Sequence, residues 1–351
     1  MVVRRLAVVF EAPRRVSVLE EDVGGPAANE VLVRTEVSGV SAGTELLIYR
    51  GEAPAELAAH ETLPALPASL GFPLRYGYAA VGEVIETGAG VDRAWLGRRI
   101  VAFQPHHSRF NAAVAELHPV PEGIAPEDAA FLPNMETAVN LVMDGRPVIG
   151  ERVAVLGQGV VGLLTTALLA AFPLDRLVTA DRYPRRREAS RGLGAGASLD
   201  PGEPEFAERL AGALRDGGTG GGADLVYELS GDPAALDPAL ASAGFGGRVV
   251  IGSWYGTRRA SLDLGGRFHR SRIRLITSQV STLAPEWSAR WSKARRLEVA
   301  WERIRRLRPS HLVTHHLPLA EAPAAYELLD RRPEEAIQVI LDHGACGSRR
   351  G

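Results

Sequence analysis

The run Val153-Ala-Val-Leu156-Gly157-Gln158-Gly159-Val160-Val161-Gly162 limits the possible folds of this chain more than any other segment. A fully apolar stretch of strand length leads through glycines into the apolar helical run Val160–Phe172. A strand without polar alternation is buried on both faces. Gly157 permits the tight turn, Gly159 lets backbone approach a pyrophosphate, and Gly162 lets the helix pack closely on the strand. The helix N-terminus then faces the anion. Such a site needs an acidic residue about 20 positions further on, at the tip of the second strand, to bond the ribose hydroxyls. Asp181 stands there, directly after the strand Leu177–Ala180, unless it serves only to cap the next turn before Pro184. Strand, glycines, helix and carboxylate together specify dinucleotide binding by residues 157–162 and Asp181. A carboxylate at this position repels a 2′-phosphate, which favours NAD over NADP, although Arg182, Arg185 and Arg186 stand beside it.

From about Pro126 onward strands and helices alternate. A long helical pattern covers Ala129–Met143, and Arg185–Gly192 is a second. Asp224–Leu229, Arg248–Gly252 and Arg274–Ser278 read as further buried strands. Continuous apolar strands in such alternation build a parallel sheet covered on both faces. The first third is different. Leu6–Phe10, Val31–Val37, Val81–Ile85 and Arg99–Phe103 are short strands bounded by glycine and proline, and Pro54–Pro73 is a proline-rich surface loop. Gly217–Gly222 is a loop that no helix follows, so it does not read as a phosphate site. Ala289–Arg306 has the pattern of an amphipathic helix whose arginines form a solvated face, and Ile337–Leu341 is a final strand. The fold class is α/β, a doubly wound parallel sheet joined to a β-rich part.

At 351 residues, 46% of them hydrophobic, the chain can build two packed domains. Its 40 basic and 42 acidic residues lack the basic excess of a nucleic-acid binder. Lys293 is the only lysine, which makes Schiff-base chemistry improbable. The single cysteine, Cys346 in the polar tail Gly344–Gly351, excludes a disulfide within the chain and a cysteine-built zinc site. No run reaches the roughly 20 apolar residues of a membrane span. Met1–Phe10 lacks the length and cleavage site of a signal peptide. The expectation is a cytoplasmic protein with a small-molecule substrate and neither a nucleic-acid nor a membrane partner.

Over almost its whole length the sequence resembles the medium-chain dehydrogenase/reductase superfamily. Ser38-Gly-Val-Ser-Ala-Gly-Thr-Glu45 is similar to the segment bearing the first catalytic-zinc ligand, and Tyr76-Gly-Tyr-Ala-Ala-Val-Gly-Glu-Val84 to the Gly-His-Glu segment bearing the second. The glycine motif is continued by Tyr227-Glu-Leu-Ser230-Gly231 and by Gly247-Arg-Val-Val-Ile-Gly-Ser253-Trp254-Tyr255-Gly256. More narrowly, Ser-Ala-Gly-Thr-Glu, Asn134-Met-Glu-Thr-Ala and Ser-Trp-Tyr-Gly resemble a zinc-free branch that contains hydroxyethyl-bacteriochlorophyllide dehydrogenases. The resemblance implies a GroES-like catalytic domain over 1–125, completed by 286–351, and a Rossmann NAD(P)-binding domain over 126–285. It implies a homodimer joined along the sheet edge near Arg274–Val280. It also adds Arg182, Ser230, Gly231, Ser253 and Trp254 to the cofactor site.

The departures from the superfamily carry as much weight. Ala42 aligns with the first zinc-ligand cysteine, Tyr78 with the histidine and Ala79 with the glutamate, and no cysteine lobe follows Pro105. Zinc requires three or four N, S or O ligands in tetrahedral reach, so no zinc is expected. Hydride transfer at a carbonyl still needs charge stabilised on oxygen and a proton donor or acceptor. Thr44 matches the hydroxyl that touches substrate in the superfamily, or it satisfies a local turn. Tyr78 either places a phenol of lowered pKa in the vacated position or fills space. Glu45 is a proton acceptor or a partner for Arg75 or Arg109. His106 and His107 are proton shuttles or exposed loop histidines. Glu136 lies near the third-ligand region, as a substrate contact or a helix contact. Trp254 and Tyr255 are expected to border the nicotinamide, and His269 to be structural.

These readings imply a zinc-independent, NAD(H)-dependent oxidoreductase interconverting a secondary alcohol and a ketone of a specialised metabolite. An NAD(P)H-dependent enone or quinone reductase is the alternative that needs less acid–base assistance. A non-catalytic nucleotide-binding protein is the other.

Overall fold

A computed structural model describes residues 3–58, 65–215 and 221–344; Cys346 and most of the Gly217–Gly222 run lie outside them. The chain divides into two compact units, Met1–Pro133 with Ile304–Gly351, and Asn134–Arg303.

The first unit opens with a hairpin of β1 (Val3–Ala12) and β2 (Arg15–Val23). β2 escapes an apolar-run reading because Glu20, Glu21 and Asp22 fill it; Arg4 pairs with Glu20 and Arg5 with Glu21 across the hairpin. There follow β3 (Glu30–Val40), α1 (Ala42–Arg50), β4 (Ala80–Thr87), β5 (Arg99–Ala102), β6 (Arg109–Ala113), β7 (Leu117–Pro119) and the short α2 (Pro126–Ala129). Val31, Val33, Val84, Ile100 and Phe110 form the core beneath these strands.

The second unit contains α3 (Leu132–Gly145), β8 (Arg152–Leu156), α4 (Val160–Leu169), β9 (Arg176–Ala180), α5 (Pro184–Gly192) and β10 (Ala197–Leu199). It continues through α6 (Phe206–Ala213), β11 (Ala223–Glu228), α7 (Leu236–Ser242), β12 (Ala243–Ile251), β13 (Arg274–Thr277) and α8 (Lys293–Leu307). Its sheet runs β10-β9-β8-β11-β12-β13 with every pairing parallel. That is the 3-2-1-4-5-6 order of doubly wound dinucleotide-binding domains. α3 and α8 each run across a division between the units.

The chain then returns to the first unit as β14 (Val313–Pro318), α9 (Ala322–Arg331) and β15 (Gln338–Asp342). β15 pairs antiparallel with β3, and β14 parallel with β15. Among the described residues this sheet runs β14-β15-β3-β4-β5-β7, with β6 also on β3.

Two helices differ from their sequence reading. The expected helix Ala129–Met143 is broken, because Pro133, with its fixed φ and missing N–H, sits in the first turn of α3 and starts it afresh. The arginine-rich helix begins at Lys293, after Ser292, whose Oγ accepts the Arg295 N–H at 3.1 Å as an N-cap.

Candidate functional site

The nucleotide-binding features lie at the carboxyl ends of the parallel strands. Gly157 has a φ of 93°, and a Cβ there would sit 2.4 Å from Ser230 Cα. A Cβ on Gly162 would lie 2.0 Å from the Gly157 carbonyl oxygen. Both glycines are therefore demanded by the protein's own packing. Gly159 is different: a Cβ there meets nothing within 4 Å, so the fold does not require glycine at that position. It is the residue before α4, and no side chain caps this helix. The first N–H groups of α4 can thus bond an anion, and the helix dipole favours negative charge. These features fit a dinucleotide pyrophosphate. Val160 and Val161 form the half-buried first turn of α4. The Gln158 side chain turns inward instead, fully buried, with Nε2 donating to Gly157 O at 3.0 Å and Oε1 accepting from Thr166 at 2.9 Å.

Asp181 follows β9 and is 7% exposed. Its Oδ2 accepts the Gln158 N–H at 2.7 Å and its Oδ1 the Tyr183 N–H at 2.8 Å. The Tyr183 bond caps the turn before Pro184, and with about four acceptor positions each carboxylate oxygen keeps one open. Three neighbouring arginines are engaged, whereas Arg185 is exposed. Arg182 donates to Asp232 Oδ2 at 3.0 Å, Arg186 lies over the Tyr183 ring, and Arg187 pairs with Asp200.

On the other half of the sheet the tips of β11 and β12 are tied together. Gly231 N–H donates to Ser253 Oγ at 2.9 Å, and Arg258 donates to the Gly231 carbonyl at 2.7 Å. Beneath them lies Glu228, a fully buried carboxylate bonded by the Ser230 N–H at 2.8 Å and by the hydroxyls of Ser230 and Tyr255. Burial and the Glu228 charge push the Tyr255 phenol up. Trp254 is half-buried between these tied residues.

In the first unit, Tyr78 places its hydroxyl against Ser41 Oγ and 3.2 Å from Thr44 Oγ1. Burial raises the phenol to about 12, although the two hydroxyls favour its ionised form. The lowered pKa expected of it is thus corrected: no cation neighbours the ring to offset desolvation, and the phenol stays protonated near neutrality.

Glu45, on α1, is fully buried. Its Oε1 accepts the Ser41 N–H at 2.8 Å; its Oε2 lies 3.0 Å from His106 Nε2 and accepts the Tyr326 hydroxyl at 2.5 Å. Arg75 pairs with Glu21, and Arg109 donates to the Arg4 carbonyl, so neither serves Glu45. His106 Nδ1 lies 2.7 Å from Ser38 Oγ, which in turn lies 2.8 Å from His343 Nε2. The exposed-loop reading of His106 and His107 fails, because their segment is bonded along β1, with Val8 N–H donating to His106 O at 3.0 Å and Ser108 N–H to Leu6 O at 2.8 Å; they are 0% and 6% exposed. Both ring nitrogens of His107 lack a partner among the described residues.

The Glu136 carboxylate, in the second unit, is held by the buried guanidinium of Arg296 at 2.8 Å. The structure therefore brings Thr44 and Tyr78 together, gathers Glu45 and His106 in a buried cluster joined to them through Ser41, and commits Glu136 to Arg296. Sequence reasoning missed Ser41, Tyr326 and His343, since nothing local marks their partners, and assigned no role to Glu228.

The zinc ligands of the superfamily do not fit here. Ala42 and Ala79 offer no donor atom, and Tyr78 offers only a protonated phenol; zinc takes thiolate, imidazole or carboxylate. Among the described residues no three His, Cys, Asp or Glu side chains gather as metal ligands.

The zinc-binding dehydrogenase family profile matches residues 160–297, a span that includes none of those three positions. D-guloside 3-dehydrogenase of Escherichia coli (strain K12) is 25% identical over 346 residues, covering 94% of this chain and 98% of that protein. 2-Desacetyl-2-hydroxyethyl bacteriochlorophyllide A dehydrogenase of Cereibacter sphaeroides is 25% identical over 354 residues, covering 97% and 98%. An alcohol dehydrogenase from Escherichia coli CFT073, solved with NADH, superposes with a TM-score of 0.77 at 18% identity, covering 97% of this chain and 99% of that one. With the sheet order and the glycine geometry, these likenesses identify the chain as an NAD(P)-dependent enzyme of the medium-chain dehydrogenase/reductase superfamily.

Proposed function

We propose that this enzyme interconverts a secondary alcohol and the matching ketone with NAD(H), without zinc. The observation that carries the reading is the Tyr78 hydroxyl, set against Ser41 and Thr44 where zinc ligands stand in relatives of the superfamily. When bound, NAD(H) accepts or supplies the hydride. The residues named above hold it: the α4 N-terminus takes the pyrophosphate and Asp181 the ribose. The substrate oxygen is held by the hydroxyls of Thr44 and Tyr78. A phenol raised to about 12 stays protonated and donates a hydrogen bond to the oxygen as charge develops on it. In reduction it passes its proton to that oxygen, and Ser41 and Thr44 stabilise the phenolate left behind. The preference for NAD is supported by Asp181 and by the pairing of Arg182 with Asp232. The substrate is a metabolite outside general alcohol metabolism, a reading supported by the two full-length likenesses to dehydrogenases of specialised names.

Assays of purified protein with NAD⁺ or NADH against secondary alcohols, ketones and enones, alongside elemental analysis, test this. Turnover of alcohols and ketones at well under one zinc per chain is expected. Turnover of enones alone, or activity that tracks about one zinc per chain, overturns it.

A further inference from the structure

Arg296 is the largest fully buried side chain of the described residues, on a helix whose other arginines are mostly exposed or half-buried. It falls in the inner stripe of α8 with Ala300 and Ile304, four and eight positions on, all 0% exposed. A guanidinium carries five N–H donors, and the bonds of Arg296 engage all of them. Nε and Nη2 donate to Glu136 Oε1 at 3.1 and 2.8 Å, and Nη1 donates to Asn140 Oδ1 at 2.5 Å. The remaining two go to backbone, from Nη1 to Thr282 O at 3.3 Å and from Nη2 to Val280 O at 2.5 Å.

Those carbonyls belong to the segment just beyond the carboxyl end of β13, the sixth strand of the sheet. The same segment is tied at its start. Ser278 Oγ donates to Asp144 Oδ2 at 2.7 Å and accepts from Asn140 Nδ2 at 3.0 Å, and the Ser278 N–H donates to Ile251 O at 3.0 Å. Residues 278–282 lack regular secondary structure, so side chains set their path. In a doubly wound sheet ligands bind beyond the carboxyl ends of the strands, one mononucleotide on each half. The glycine motif and Asp181 put the adenosine end on the β8–β10 half. The β11–β13 half, with its tip at 278–282, is left for the nicotinamide end.

We infer that Arg296 is a positioning residue for nicotinamide binding: it fixes the backbone of 278–282 that edges the nicotinamide half-site, and does so without touching the cofactor. Lysine cannot replace it, because an ammonium concentrates its donors at a point and cannot span a carboxylate, an amide and two carbonyls. The inference rests on NAD(P) dependence alone and does not depend on the metal-free reading of the substrate site.

Calorimetric titration of the full chain with NADH and with ADP-ribose, which lacks the nicotinamide, tests it. In Arg296→Lys, NADH should bind about tenfold more weakly while ADP-ribose stays within about twofold, as expected for a reacting end displaced with its anchor intact. Unchanged NADH affinity overturns the inference, and so does an equal loss for both ligands, which marks a general weakening of the domain. Should Arg296→Lys fail to fold, Ser278→Ala loosens the same segment more gently and decides the matter. A roughly threefold fall in NADH affinity relative to ADP-ribose is then expected, and an unchanged ratio overturns the proposal.

Discussion

Tyr326 on α9 donates its hydroxyl to Glu45 on α1 over 2.5 Å, joining residues 281 positions apart in one buried hydrogen bond. The carboxylate also receives the Ser41 N–H and faces His106, and Glu45 and its three partners lie in one unit. Tyr326→Phe removes one donor from a buried charge, at a cost of about 1–3 kcal/mol. Glu45→Ala strands His106 and the Ser41 N–H, and about 3–5 kcal/mol is expected. Urea denaturation checks both; a Tyr326→Phe midpoint equal to the parent's would show that the bond adds nothing.

Acid should destabilise the protein from the histidine range downward. Burial, reinforced by nearby positive groups, holds His107 and His343 down to about 3. The unfolded chain binds a proton at each below about pH 6.5, whereas the folded protein does not until about pH 3. Stability therefore falls as pH drops through that interval, by up to about 2.7 kcal/mol per pH unit for the pair. Burial raises the Glu45 carboxyl, but the His106 charge and the bonds from His106, Tyr326 and Ser41 outweigh it, and the net direction is down. Its stabilisation is present above its unfolded pKa and is lost only as pH falls through the lower folded value, adding to the acid limb below about pH 4.5. His107→Leu should halve the slope between about pH 6.5 and 5. An unaltered slope would remove His107 from the account.

Tyr78→Phe and Thr44→Val each delete one hydrogen bond to the substrate oxygen. Each should slow turnover by about 10²–10³ while NADH affinity stays near that of the parent. The reading fails if both variants keep full activity in steady-state assays.

Changes at two carboxylates should both shift the coenzyme preference toward NADP(H), one by weakening NADH and the other by strengthening NADPH. Asp181→Ala removes the ribose partner and should weaken NADH about tenfold. Asp232→Asn frees Arg182 from its ion pair and should strengthen NADPH by about two- to threefold, the scale of an exposed pair. Fluorescence titrations with both coenzymes measure these changes; a parent enzyme that prefers NADPH tenfold contradicts the assignment.

The proposed dimer pairs the β13 edges of two copies, since an open edge strand invites pairing. Leu275, 36% exposed on β13, is the side chain to perturb. Light scattering at micromolar concentration should give twice the chain mass for the parent and a shift toward monomer for Leu275→Glu. A monomeric parent excludes the arrangement.

The nucleotide half of the fold was legible because its constraints are local. Gly157 and Gly162 answer to backbone crowding, and the structure gives each a close approach that demands glycine; Asp181 was found by its distance along the chain, and it follows β9 as that spacing requires. Thr44 and Tyr78 were singled out only through resemblance, and the structure sets their hydroxyls side by side; the sign of the Tyr78 shift was not legible, because it depends on what surrounds the ring. Tyr326 and His343 were invisible, being linked to Glu45 and Ser38 by contacts that cross almost the whole sequence. Arg296 was misread for another reason. Arginines on an amphipathic helix usually face solvent, and nothing in the helical pattern marks the one whose donors all find partners inside.

β3 lies between β4 and β15, and Gln338 reaches across 298 positions to bond the Val40 carbonyl. A ribosome delivers β15 long after β3. At about 5–20 residues per second, the β3 edge waits roughly 15–60 s for its partner. Meanwhile residues 134–303 emerge complete and are free to fold before the unit that precedes them. The unfinished sheet is thus the window in which a nascent chain is open to wrong pairing. A stop codon ahead of β15 would leave that window permanently open.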